Sequence, residues 1–417
     1  MRWLVVLAFL VWCWLLTMRG RFWSAGPVLP VAVPTRAPPV AIVVPARDEA
    51  PFIARTVRSL LDQRYSGPFS VTLVDDNSED GTGAIVRGLD GSGRREGVKL
   101  TVLTGAARPA GWAGKLWAVH QGIAAALETP PHAPRTDSPE TESPRTDSPE
   151  TESPKADSPT TGTPEADTPE YVFLTDADIA HDPPHLASLV ALAERHDLDM
   201  VSEMVTLSCE SWAEKALIPA FVFYFQLLYP FAWVNNPLCG TAAAAGGTVL
   251  IRRRALIRIG GIEAVRGALI DDVALAGAVK AGGRIYLGHS ALARSIRPYP
   301  GMSDIWRMIA RSAYAQLRFS PLLVAGTTLA MALIWLVPPL AALFGHGWSR
   351  GLGLLTWAAF AAAYLPTLTR FGRSPVWALF LPAIALFYMA ATIGSAVNHH
   401  LGRGVVWKGR AYAGGSP

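Results

Sequence analysis

Cysteine and charge are both scarce in this chain. Its 417 residues hold three cysteines, Cys13, Cys209 and Cys239. Cys13 sits in an apolar run and the other two have no paired metal-ligand spacing, which excludes a disulfide framework and a zinc module and suits a cytosolic catalytic part. Charged residues make up only 17% of the chain while half of it is hydrophobic, and the mean hydropathy is +0.25. Long uncharged stretches stand at both ends, the pattern of a membrane protein with a soluble middle. A net charge of +4 makes no case for nucleic acid; arginines beside apolar segments suit an anionic membrane surface instead. The full Walker spacing is also missing, so Gly114-Lys115 does not read as a P-loop.

The N-terminal run Trp3 to Met18 is followed by Arg19 and Arg21 and lacks a small-residue cleavage site. It reads as a signal anchor over residues 1–21, with the basic residues placing the next domain on the cytoplasmic side. A Pro-rich linker covers 22–39. Val40 to Val44, bounded by Pro39 and Pro45, suits a strand buried on both faces. Ser70 to Val74 and Val98 to Leu103 are further strands, and the helices between them carry apolar residues at helical spacing, as at Ile53, Val57 and Leu60. This alternation predicts an α/β fold with a mostly parallel, doubly wound sheet across 40–320.

Two stretches depart from that pattern. Residues 135–144, RTDSPETESP, recur identically at 145–154 and in degraded form at 155–164. A segment so rich in Pro, Ser, Thr and acid buries no core, so 130–170 reads as a disordered surface insertion. Ala216 to Val234 is nineteen uncharged residues interrupted by Pro219, Gln226 and Pro230, and reads as a membrane-interfacial segment. After a short strand at Arg284 to Leu287, three apolar segments (322–344, 352–368 and 376–397) predict C-terminal transmembrane helices within 321–398, ahead of a basic tail at 399–417. His399-His400 suits an interfacial position. One anchor plus three crossings would leave the tail's Arg403, Lys408 and Arg410 outside, against the positive-inside tendency, unless one C-terminal segment is re-entrant or the Arg370–Arg373 loop prevails.

Three acidic clusters sit at strand ends or helix starts. The strand YVFL (171–174) leads through Thr175 into Asp176-Ala177-Asp178. If the chain stays extended there, both carboxylates face one way at the carboxyl end of a strand, where α/β sheets bind ligands, and two such donors suit a hard divalent cation. The same letters also fit a polar turn in which Asp178 caps the next element. Asp75 or Asp76, after the second strand, fits hydrogen bonding to a base or ribose. Asp271 or Asp272, opening a helix, fits a base that deprotonates an acceptor hydroxyl; the helix start tends to hold such a carboxylate's pKa low. Lys115 fits either a phosphate contact or a solvated helix-start lysine.

Four motifs in order, VVPARDE, VDDNSEDGT, LTDAD and IDDVAL, resemble the family 2 nucleotide-sugar glycosyltransferases, which have the GT-A fold. GWAGKLWAVHQG, TAAAAGGTVLIRRRAL, RSAYAQLRFSP and the terminal WKGRAY are similar to the hopene-associated branch, bacterial membrane proteins related to ceramide glucosyltransferases. The resemblance implies a nucleoside-diphosphate-sugar donor, such as a UDP-sugar, and a cofactor of Mg2+ or Mn2+. It makes Pro45, Asp48, Glu49 and Asp76 donor contacts, Asp178 the principal metal ligand with Asp176 assisting, and Asp272 the general base. Asp271 stands where many relatives have Glu. The Gln-X-X-Arg-Trp box survives only around Arg311, followed by Ser312 instead of Trp; there Arg311 keeps the charge that meets the diphosphate. The expectation is an inverting transferase of the inner membrane with its catalytic domain in the cytoplasm and a lipid acceptor, a hopanoid first. A ceramide, carotenoid or polyprenyl phosphate acceptor, or an idle scaffold of lipid-synthesis enzymes, stands as the alternative.

Overall fold

The computed structural model describes residues 2–89, 98–128, 168–402, 406–407 and 410–411. The decapeptide repeats and most of the basic tail lie outside the described residues. An eight-stranded sheet runs in the order β3 (Lys99–Thr104), β2 (Phe69–Asp75), β1 (Val40–Ala46), β4 (Tyr171–Leu174), β7 (Val249–Arg252), β6 (Met200–Thr206), β8 (Ile285–Ser295), β5 (Ile179–His181). The first four strands are parallel, β7 lies antiparallel between β4 and β6, and β6 pairs parallel with β8.

β1 is buried along its whole length and divides two cores by simple alternation. Val40, Ile42 and Val44 face α2 (Ala50–Leu61), α3 (Thr82–Arg87) and α5 (His185–His196). Ala41 and Val43 face α4 (Gly114–Glu128), α8 (Arg253–Arg258) and α9 (Asp271–Lys280). α4 can lie this close because Gly122 has no side chain: a Cβ there would stand 2.5 Å from Val43 Cγ1.

Three strand expectations change. β1 continues through Pro45 instead of ending before it. Thr175 N–H reaches the Val43 carbonyl and Asp76 N–H the Ala46 carbonyl, so the nitrogen of Pro45 faces the side where β4 has already ended. No ladder partner is lost there. β8 runs eleven residues where only Arg284 to Leu287 reads as a strand, because Gly288, Ser290 and the register shift beside Met204 blur its alternation. β5, three residues long and antiparallel to the end of β8, carries no sequence signal of its own.

The linker is laid along the sheet rather than left free. Val28 bridges His289, and the His289 N–H donates to the Pro27 carbonyl at 2.8 Å. Beside the sheet, α1 (Arg2–Met18), α6 (Trp212–Leu228), the short α7 (Phe231–Val234), α10 (Met302–Gln316) and three C-terminal helices follow. Those three, Pro321–Phe344, Trp348–Arg370 and Pro375–His400, are long and apolar enough to cross a membrane. α1, α6 and the C-terminal helices share an aromatic core that includes Trp12, Phe223, Trp335 and Phe360. Trp12 also donates its indole N–H to the Ile334 carbonyl at 2.8 Å. That carbonyl lies in a π-helical turn, Ala332–Leu336, and both residues that would satisfy it along the helix, Pro338 and Pro339, lack an N–H.

Candidate active site

One cavity of about 970 Å3 opens beyond the carboxyl ends of β1 and β4. Of the residues singled out in the sequence, Pro45, Glu49, Lys115, Asp176, Asp178, Asp271, Asp272 and Arg311 line it. Asp48, Asp75 and Asp76 are not among its lining residues. Asp75 is used in the turn after β2, where its Oδ1 accepts the Ser78 N–H at 3.0 Å. Asp48 holds a left-handed backbone, φ 51°, and accepts the Glu79 N–H at 2.9 Å. Asp76 is buried, with its carbonyl accepting from Arg47 at 2.5 Å.

The chain does not stay extended after β4. It turns at Ala177-Asp178, yet both carboxylates still reach the cavity, each against its own cation. Asp176 Oδ1 lies 2.8 Å from the Lys115 ammonium, and Asp178 Oδ2 lies 2.5 Å from Arg297 Nε. Arg297 also grips Glu49. Lys115, in the first turn of α4, is 3.4 Å from Asp271 as well, so it joins the β4 turn to the start of α9. Burial opposes its charge, but Asp176 and Asp271 outweigh burial and raise its pKa. Burial also opposes the Arg297 charge, and Asp178 and Glu49 outweigh it in the same way.

Asp272 departs from the helix-start expectation. It accepts two backbone N–H groups, Gly246 to Oδ2 at 2.9 Å and Val273 to Oδ1 at 2.8 Å. Even so, its pKa rises to about 7, first through burial and then through the neighbouring Asp271 charge. Desolvation wins over the dipole. Gly246 lets this happen: a Cβ there would lie 3.2 Å from Lys115 Nζ and 3.5 Å from Asp272 Oδ2. Burial also raises Asp176, against the pull of Lys115.

Behind the site runs a buried polar chain that sequence reasoning missed. Thr175 Oγ1 donates to the Gly247 carbonyl at 2.9 Å and lies 2.9 Å from His181 Nε2. The Nδ1 atoms of His181 and His185 are 2.9 Å apart, and His185 Nε2 is 2.7 Å from Glu203 Oε2. Arg297 was missed too. Its only signal is a basic residue just past β8, beside Pro298, where no acidic motif draws attention.

The cavity lining also includes apolar and aromatic side chains. Among them are Phe221 and Phe225 of α6, Met308 of α10, and Trp335 and Tyr388 of the C-terminal helices. Among the described residues no group of three or more His, Cys, Asp or Glu stands ready to hold a metal. Asp176 and Asp178 supply two carboxylates, a number that fits a cation completed by substrate phosphates and water.

The family model of glycosyl transferase family 21 matches residues 147–415, and that of glycosyl transferase family 2 matches residues 41–128. No curated protein sequence matches. Among solved structures, a mannosyltransferase from Pyrobaculum calidifontis, PcManGT in complex with GDP-Man and Mn2+, superposes with a TM-score of 0.50 at 21% identity, covering 96% of each chain. TarS 1–349 of S. aureus in complex with UDP-GlcNAc aligns with a TM-score of 0.37 at 13% identity, over 91% of this chain and 98% of that one. The likeness to the mannosyltransferase is one of fold, and with the family 2 match it makes the sheet domain GT-A-like.

Proposed function

Because the chain belongs to glycosyl transferase family 21, we propose that it moves a sugar from a nucleoside-diphosphate donor to a lipid hydroxyl, inverting the anomeric configuration. The observation that carries this reading is a single cavity lined both by an acid–base cluster and by aromatic and apolar side chains of α6, α10 and the C-terminal helices. The first suits a diphosphate sugar and the second suits a lipid. The sequence resemblance to the hopene-associated branch favours a hopanoid, at the cytoplasmic face of a bacterial inner membrane.

In this reading Asp272 takes the proton of the acceptor hydroxyl as that oxygen bonds to the anomeric carbon. The bond from that carbon to the diphosphate breaks, and the diphosphate leaves with the electron pair. One base and one displacement give inversion without a glycosyl-enzyme. A pKa of about 7 places Asp272 where a general base works best near neutral pH. Asp271 and Asp176 hold Lys115 in the cavity, where its charge meets the leaving diphosphate with Arg311. Pro45 and Glu49 of the cavity lining, with Asp48 after β1 and Asp75 and Asp76 at the end of β2 outside that lining, are assigned to the nucleotide side of the site. Asp178, with Asp176, would hold a divalent cation, which supplies charge neutralisation to the diphosphate.

The test is release of nucleoside diphosphate by the purified full-length protein in detergent, across UDP- and GDP-sugars, with and without a lipid extract. Release that needs both lipid and divalent cation supports the proposal. Transfer to a soluble acceptor with no response to lipid overturns it.

A further inference from the structure

The ends of the last apolar helix bear on how the chain meets the bilayer. Its start follows Arg370, whose guanidinium donates to the Ala25 carbonyl at 3.1 Å. Ala25 lies three residues before Val28, which bridges β8 of the catalytic sheet. Its end is equally close to the catalytic domain. His400 Nε2 lies 2.9 Å from the Tyr314 hydroxyl, and the His399 and Phe319 rings stand 4.9 Å apart. Two residues after Tyr314, Gln316 donates to the Tyr229 hydroxyl at 2.6 Å, and Gln316, Tyr229 and Asp272 line the same cavity.

A crossing helix would hold its two ends on opposite sides of about 30 Å of hydrocarbon. Pro375–His400 spans 26 residues, a 3-10 segment at Pro375–Phe380 followed by an α-helix at Leu381–His400 that is about 30 Å long by itself, with both ends on the catalytic side. We propose, resting on the membrane reading above, that this helix lies along the surface of the leaflet facing the catalytic domain. There it forms a raft with α6 and α10, while α1 and the hairpin of Pro321–Phe344 and Trp348–Arg370 cross.

The raft helices pack on one another. Tyr388 donates to the Leu217 carbonyl of α6 at 2.8 Å, and Ser395 donates to the Ala310 carbonyl of α10 at 2.5 Å. α6 also begins and ends at the domain: Ser211 donates to the Tyr299 carbonyl, and Phe231 packs on His289. The occupant of the exposed face is lipid. Val376, Leu379, Phe380, Leu386 and Val397 are exposed on a segment with no charged residue between Ser374 and His400. Trp212 and Trp377, rings 6.5 Å apart, suit the headgroup boundary. The hairpin is closed by small residues, since a Cβ on Gly353 would stand 2.7 Å from the Pro338 carbonyl. With this arrangement the chain leaves His400 on the catalytic side, so the tail's Arg403, Lys408 and Arg410 obey the positive-inside tendency. An acceptor lipid then enters the cavity sideways, between raft helices, without leaving its leaflet.

The test uses the full chain with Cys13, Cys209 and Cys239 replaced by serine and one new cysteine at a time: E79C in the catalytic domain, H346C at the hairpin tip, L401C after the raft. Sealed vesicles of both orientations are treated with a membrane-impermeant maleimide. L401C is expected to label from the E79C side and H346C from the opposite side. Labelling of L401C from the H346C side overturns the raft. A protease-sensitive tag after Pro417 gives the same readout if Leu401 is shielded, and cleavage from the H346C side overturns it likewise. Release of the wild-type protein by alkaline carbonate would instead overturn the membrane reading itself, and the raft with it.

Discussion

The backbone N–H of Gly246 points at Oδ2 of Asp272 across 2.9 Å, and the carboxylate it meets still carries a raised pKa, about 7. An ordinary helix-start aspartate would be fully ionised well below that pH. Here kcat/KM is expected to rise with pH through an apparent pKa near 7 as Asp272 becomes a carboxylate. A pH profile of the free enzyme checks this, and a flat profile from pH 5 to 8 would count against it. Because the folded pKa lies above the unfolded one, Asp272 favours folding at low pH and loses that contribution as pH rises through 7. D272N is therefore expected to melt at or above the wild type at pH 8.

Lys115 is placed to lower that same pKa, since its charge favours the Asp272 carboxylate. K115M is expected to move the acidic limb of the pH profile upward and to cut kcat by about 10²–10³-fold, the usual cost of removing one group that stabilises developing charge. If the limb stays in place while KM alone rises, Lys115 only binds the donor.

How much of this was legible in the sequence depends on how far apart the partners lie. The central strands were readable because β1 and β4 are buried on both faces and need unbroken apolar runs. The acidic clusters were readable because their spacing is local. Arg297 was not, since its meaning comes from Asp178 and Glu49, both more than a hundred residues away. The high pKa of Asp272 was misjudged for the same reason: local sequence reports the helix start, whereas the burial that overrides it comes from the packing of distant segments, Lys115 and Gly246 among them. The chain beneath Thr175 joins His185 to Glu203 on β6, and helical spacing alone presents His185 as an ordinary core residue.

Removing the cation is expected to have the same effect as removing its principal carboxylate. D178A should abolish donor turnover while keeping the protein folded and membrane-bound, and chelation should do the same to the wild type. Activity measured in chelator is the check, and undiminished turnover by D178A under those conditions would remove the cation from the account.

Trp12 offers a test of how α1 is held. W12F keeps the ring contacts with Trp335 and Phe360 but leaves the Ile334 carbonyl without the donor that Pro338 and Pro339 cannot replace. A loss of about 0.5–1.5 kcal/mol is expected for one hydrogen bond, read as a lower melting temperature in detergent. No change in melting would show that the carbonyl finds another partner.

The most direct measurement follows labelled sugar from a nucleoside-diphosphate donor into the lipid phase, with wild type, D271N and D272N side by side. Wild type should label lipid. D272N should still bind the nucleoside diphosphate yet lose about 10²–10⁴-fold in transfer, the typical contribution of a general base, while D271N loses less. A D272N protein that transfers sugar normally beside a dead D271N would contradict the assignment, and a wild type that labels no lipid with any donor would contradict the account as a whole.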